Sequence, residues 1–229
     1  MQITSYHYQN FLLKNMKNYL NDIQIKKLLI NKKMSSNFSK KFLIETKYIC
    51  ENLNYDHIEK VSSIISKIQK KRGRVFFLGV GGSAGNCSHA VNDFRKLANI
   101  ECYTPTDNSS ELTARINDEG WDSSFSNWLK VSKLNSQDCL FFFSVGGGNV
   151  KKKVSINLIE AAKFGKSRNS KIISIVGKSN GYLAKNSTQS IVIPHVNKKN
   201  ITPHSEAFQA VIWHLLVSHP KIKKNKTKW

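Results

Sequence analysis

RVFFLGVGGSAGNCSHAVNDFRKLA, Arg74–Ala98, decides the fold. Its first part, Arg74 to Gly79, holds an apolar run without polar alternation, as a strand covered on both faces must be. A glycine-serine turn follows, Gly79 to Ser83, and then a helical pattern from His89 to Ala98. Glycine admits positive φ and close backbone approach, and the exposed N–H groups at the start of a helix attract anions. Ser83 adds a hydroxyl donor there. A strand that passes through such a turn into a helix is the repeating unit of a parallel α/β sheet, in which ligands collect at the carboxyl ends of the strands.

The same unit recurs downstream. IECY (Ile100 to Tyr103), CLFFFS (Cys139 to Ser144), KIISIVG (Lys171 to Gly177) and SIVIP (Ser190 to Pro194) read as strands. Helical stretches separate them: Ser110 to Ile116, Phe125 to Lys133, Val150 to Phe164 and Glu206 to Val217. Upstream, a helix is expected near Phe38 to Asn52. A second starts at Asn54 or Asp56 and carries Ile58, Val61, Ile64, Ile65 and Ile68 on one face. Residues 1–36 hold a looser helical pattern through Phe11, Leu12, Met16, Leu20 and Ile23. The expected fold is α/β, a five-stranded, mostly parallel sheet with helices on both faces, preceded by N-terminal helices. The expected division is a helical extension (1–36), one domain (37–219) and a basic tail (220–229), the tail a solvated end.

Bulk properties exclude several function classes. With 40% hydrophobic and 22% charged residues, the 229-residue chain reads as globular rather than disordered. No apolar run approaches the ~20 residues that span a bilayer, and the N-terminus lacks a secretory pattern, so no membrane partner and a cytoplasmic location are expected. Four scattered cysteines, Cys50, Cys87, Cys102 and Cys139, form no C-x-x-C pair and read as buried thiols. The net charge of +21 is spread along the chain, and only Lys221 to Trp229 is a dense basic block. Without a helix-turn-helix, zinc-finger or base-stacking motif, the charge does not make nucleic acid the expected partner.

A second glycine turn, SVGGGN from Ser144 to Asn149, again lies between a strand and a helix. Two such turns at strand ends favour the handling of a phosphate. A rival reading uses Gly79, Gly81 and Ala84 as a relaxed dinucleotide fingerprint, with Glu101 as the ribose-binding acid. That scheme leaves the second turn and the polar residues near the C-terminus without a role, so no nucleotide cofactor is expected.

Those polar residues form two groups. His89 and Asp93 stand four apart, which stacks them on one helix face. Such a pair binds a metal jointly, acts as a base with its orienting partner, or is a plain surface contact. His204, Glu206, Gln209 and His214 sit in or before an otherwise apolar helix whose packed face is read as Ala210, Val211, Trp213 and Leu215.

Together these features resemble the sugar isomerase (SIS) domain family, and within it the phosphoheptose isomerases. The resemblance runs from about Asn54 to Ser218: GVGGSAGNCSH, SELTARINDEGWDSSFSNW, the second glycine turn, VGKSNGYLA and the closing helix follow in the family's order. It implies a flavodoxin-like three-layer sandwich, a homotetramer with sites between subunits, and aldose–ketose isomerisation of sedoheptulose 7-phosphate for glycan heptose synthesis. It further implies Asp93 as base, His214 as acid, and zinc as the candidate metal among His89, Asp93, Glu206 and His214. Substrate contacts are implied for Gly81, Gly82, Ser83, Asn117, Asp118, Ser144, Gly146, Gly147 and Asn149. The chain departs from the family pattern at four points. Asp93 replaces a glutamate, Glu206 replaces a glutamine ligand, Val80 replaces the asparagine of the first turn, and the second turn carries fewer hydroxyls. A non-catalytic sugar-phosphate-binding or partner-binding member is the alternative.

Overall fold

The structure is a computed structural model that describes residues 37–227; the expected extension over residues 1–36 lies outside them. The chain divides into two compact units. The described part of the first comprises residues 37–53 and Pro194–Asn197, built on α1 (Phe38–Asn52). Asn37 caps this helix by accepting from the Lys40 N–H, and Asn197 donates to Glu45 Oε1 at 3.0 Å. The division falls after Leu53, and residues 220–227 go with the larger unit.

The larger unit opens with α2 (Tyr55–Lys70), capped by the side chain of Asn54 as it accepts from the His57 N–H. Ile58, Val61, Ile65 and Ile68 are its buried apolar stripe, as the helical spacing predicts. Then follow β1 (Val75–Leu78), α3 (Gly82–Ala98), β2 (Cys102–Tyr103), α4 (Ser109–Glu119), α5 (Ser124–Val131) and β3 (Cys139–Ser144). The unit closes with α6 (Ile156–Ser167), β4 (Lys171–Val176), α7 (Tyr182–Asn186), β5 (Gln189–Val192) and α8 (Ile201–Ser218).

The five strands form one sheet in the order β2-β1-β3-β4-β5, every pairing parallel. Leu78 pairs with Phe142 and Val176 with Ser144, so the strand ends that carry both glycine turns lie side by side. Alternation splits the phenylalanines between two faces. Phe76, Leu78, Leu140 and Phe142 join Phe125 and Leu129 of α5, Leu158 and Ala162 of α6, and Leu183 of α7. On the other face Phe77 stacks with Phe141 at 5.3 Å and meets Phe94 of α3. Both sides are dry, which is why these strands show no polar alternation. At the opposite end of the sheet, buried Asp138 accepts from Arg74 N, Nε and Nη2 and from Asn135 N. The Asp138 carboxylate raises the Arg74 pKa through that bonding.

Four expectations need correction. The helix expected from Val150 begins only at Ile156, because an antiparallel bridge between Asn149 and Val154 closes residues 149–154 into a tight turn. On α8 the packed face is Phe208, Gln209, Ile212, Trp213 and Leu216, whereas Val211 and Leu215 are 50% and 42% exposed. Cys50 is exposed, while Cys87, Cys102 and Cys139 are buried and burial pushes their thiols up. The basic tail is not a free solvated end through Asn225: Ile222 is fully buried, and the N–H groups of Lys224 and Asn225 both donate to Leu97 O.

Candidate active site

The first turn ends at Gly81, whose φ of 64° and ψ of −131° suit glycine alone. There α3 begins, with Ser83 buried in its first turn. A Cβ on Gly82 would sit 2.6 Å from Glu206 Oε2, so the Glu206 carboxylate lies against the start of α3. The second turn is held by its own serine: Ser144 Oγ accepts from the Gly147 N–H at 3.0 Å, leaving its hydroxyl proton to donate elsewhere. Asn149 Oδ1 accepts from the Lys152 N–H.

A third turn, Gly177 to Gly181, joins them. Gly177 N–H donates to Val145 O, while Tyr182 and Leu183 N–H donate to Gly148 and Gly147 O. Gly177 also lies against buried Ser205, the residue before Glu206. Ser205 and Glu206, consecutive at the start of α8, therefore touch the third and first turns. Sequence reasoning passed over Ser205; its place between a glycine turn and a polar helix start was the available signal.

Three of the four residues named as metal ligands come together. Donor atoms of His89, Asp93 and His214 lie within 4.8 Å of one another. The pairing of α3 with α8 brings this about, and Asn86 ties the two helices by donating to Glu206 O and Gln209 Oε1. His89 Nε2 and His214 Nε2 each stand 3.9 Å from the same oxygen, Asp93 Oδ2. Neither separation is a hydrogen bond, so room remains for an atom between them. The other carboxylate oxygen, Oδ1, accepts from Asn92 Nδ2 at 2.9 Å. His214 Nδ1 lies 2.8 Å from Ala210 O. A carbonyl only accepts, so Nδ1 holds a proton and Nε2 is the nitrogen free for chemistry.

The donor set of two imidazoles and one carboxylate suits zinc or a neighbouring first-row divalent ion. Bonds of about 2.0–2.2 Å at angles from tetrahedral upward span roughly 3.4–4.2 Å between ligand atoms; the two histidine–carboxylate separations of 3.9 Å fall in that interval, while the three donor atoms together lie within 4.8 Å. The backbone carbonyl on His214 Nδ1 is the kind of outer partner that orients a histidine when it ligates a metal.

Other expected site residues stand apart from the triad. Glu206 is outside the cluster, because its carboxylate is drawn over Gly82. Asn117 and Asp118 are exposed near the end of α4, where Asn117 Nδ2 donates to its neighbour's Oδ1. Glu101 stands at the start of β2, and its carbonyl accepts from the Val75 N–H at the start of β1. It therefore lies at the end of the sheet away from Gly79 and Gly81, too far to hold a ribose whose phosphates rested on that turn.

Comparison with known proteins gives the family and the fold. The SIS domain family model matches residues 41–177. Phosphoheptose isomerase 1 of Campylobacter jejuni is 30% identical over 145 residues, 60% of this chain and 73% of that protein. The lincomycin biosynthesis protein LmbN of Streptomyces lincolnensis is 30% identical over 158 residues, 64% of this chain but 56% of that protein, so the match spans little more than half its length. Among solved structures, phosphoheptose isomerase GmhA from Neisseria gonorrhoeae superposes with a TM-score of 0.61 at 18% identity, covering 92% of this chain and 96% of that one. With more than half of its residues inside the family model, the chain belongs to the SIS domain family; it shares the fold of such a structure and is similar to phosphoheptose isomerases.

Proposed function

We propose that the protein is an aldose–ketose isomerase of a phosphorylated sugar, with sedoheptulose 7-phosphate as substrate and glycero-manno-heptose 7-phosphate as product. The observation that carries the reading is Asp93 Oδ2 facing two imidazole Nε2 atoms at 3.9 Å, beside glycine turns at adjoining strand ends. The phosphate end is assigned to the second turn, where the Ser144 hydroxyl proton is left to donate because its oxygen already accepts from the Gly147 N–H. The carbonyl end lies toward α3 and α8.

Isomerisation through an enediol needs one group to take a carbon-bound proton and another to protonate oxygen. Asp93 Oδ2 takes the proton from C1 or C2, while Asn92 on Oδ1 keeps the carboxylate aimed. His214 delivers its proton from Nε2, since Nδ1 stays bonded to Ala210 O. His89 faces the same Asp93 oxygen through its Nε2 at 3.9 Å. Zinc held by His89, Asp93 and His214 would polarise the carbonyl as a Lewis acid. The same lone pairs serve the metal and the mobile protons, so activity measured with added zinc and with chelator separates the two uses.

The test is to incubate the purified protein with sedoheptulose 7-phosphate, with zinc or chelator, and follow aldose formation. Turnover supports the reading. Absence of turnover together with unaltered thermal stability on adding sugar phosphates overturns it. Thermal stabilisation without turnover would instead favour a non-catalytic sugar-phosphate-binding protein.

A further inference from the structure

We propose that Trp213 is a positioning residue, which fixes the two imidazoles of the site in the orientation that converges on Asp93. Three observations meet in this side chain. First, it touches both histidines: its ring stacks on His214 at 3.5 Å between centroids, 26° from parallel, and meets His89 edge-on at 4.7 Å and 63°. The histidine rings themselves stand perpendicular, 5.3 Å apart. Second, the indole is enclosed by packing: Trp213 is fully buried on α8, the helix that packs on α3. The histidine side chains it braces are 57% and 50% exposed. Third, the indole N–H is buried without a hydrogen-bond partner among the described residues. Burying such a donor without a partner is unfavourable. Phenylalanine would avoid that cost but presents only one ring, which cannot reach both imidazoles as far as the two-ring indole does.

The need for a brace follows from the chemistry of the site. His214 has one anchor, the Ala210 carbonyl, which fixes a ring edge but leaves tilt about that bond. At 3.9 Å from Asp93, neither imidazole is held by a hydrogen bond to the carboxylate. A half-exposed histidine ring with so few anchors samples several rotamers. An error of about 1 Å in a reacting group costs about 100-fold in rate. The indole plane removes this freedom for both rings at once.

The proposal rests on the isomerase reading only for its kinetic part, and the experiment keeps the two apart. Trp213→Leu and Trp213→Phe are made in the full chain, and folding is checked by circular dichroism and thermal melting. In the metal-free protein with 13C-labelled histidine, the wild type should give a nuclear Overhauser contact between the His89 and His214 rings. The contact should vanish in Trp213→Leu and weaken in Trp213→Phe. In turnover, Trp213→Leu should lose ~10-fold or more in kcat with KM within ~2-fold, and Trp213→Phe should recover part of the loss. A folded Trp213→Leu that keeps the ring contact overturns the proposal, as does a loss confined to KM. A wild type that shows the contact, lost in Trp213→Leu, yet turns over no sugar overturns the isomerase reading and leaves the positioning role standing. Where Trp213→Leu does not fold, Trp213→Phe decides: an undiminished ring contact and wild-type kcat overturn the proposal.

Discussion

The two glycine turns have nearly the same composition, and their neighbours make them different devices. Each follows a buried, phenylalanine-bearing strand and places three glycines within a few residues. Around the first turn the charges are acidic: Glu206 lies against Gly82, and Asp93 stands further along α3. After the second come Lys151, Lys152 and Lys153, all exposed on the turn closed by Asn149 and Val154. The packing differs as well. Gly82 faces the tip of a side chain, which can swing away, whereas Gly181 faces the Gly146 carbonyl, which cannot. Under the proposed function, the first turn would take a neutral, hydroxyl- or carbonyl-bearing end of the substrate and the second its anionic end.

Substitutions can break this division of labour. The largest effect is expected from Asp93→Asn, which keeps size and removes the proposed base: kcat should fall by about 10²–10⁴ with KM little changed in a coupled isomerase assay. His214→Gln should do the same. A loss appearing mainly in KM would put the phosphate, not the carbonyl, at the first turn. Next, Gly181→Ala drives a methyl into backbone and should cost about 1–3 kcal/mol of stability in denaturant unfolding, with KM raised. Gly82→Ala meets only a movable carboxylate, and its stability should stay within about 0.5 kcal/mol of wild type. The reverse order would refute the packing contrast. Smaller again is Lys151→Gln/Lys152→Gln/Lys153→Gln, for which a several-fold rise in KM is expected at low salt. It should fade toward ~1 M salt, where the Debye length is about 3 Å. The smallest change is expected in thiol alkylation near pH 8. Exposed Cys50 should react in the native protein, while burial keeps Cys87, one turn beyond the first glycine turn, protonated and shielded. Gly82→Ala should leave that pattern intact.

Periodicity and turn chemistry made most of the sheet legible before any coordinates. Cys139–Ser144 is a strand with the bounds its apolar run indicates, and Asn54 caps α2 as its side chain suggests. Two kinds of feature were hidden. One was local closure: nothing in VKKKV announces the bridge from Asn149 to Val154 that delays α6 to Ile156. The short helix Tyr182–Asn186 was likewise unread, since five residues carry no helical period. The other was the choice among apolar residues on one helix. Composition marks Val211, Trp213 and Leu215 alike, and only the meeting of α8 with α3 decides that Trp213 goes inside. For the site, helical spacing paired His89 with Asp93, but the convergence with His214 depends on two helices 121 residues apart by their Asp93 and His214 numbers. The same long-range geometry moved Glu206 off the triad and onto Gly82.

The tail has a practical meaning for anyone handling the protein. Leu97 O receives two tail N–H groups, Lys96 O receives Asn225 Nδ2, and Gln69 Nε2 bonds both Ala98 O and Ile222 O. Glu59, its pKa lowered by bonds from Lys221 and then His219, fastens the near end. A protease that cuts between Lys221 and Lys224 would strip the terminal carbonyls of the very helix that carries His89 and Asp93, roughly 12 Å and 6 Å upstream of Leu97 at about 1.5 Å per residue. Trypsin damage during purification would then look like a defect in catalysis, and intact mass is the measurement to make before any variant is judged inactive.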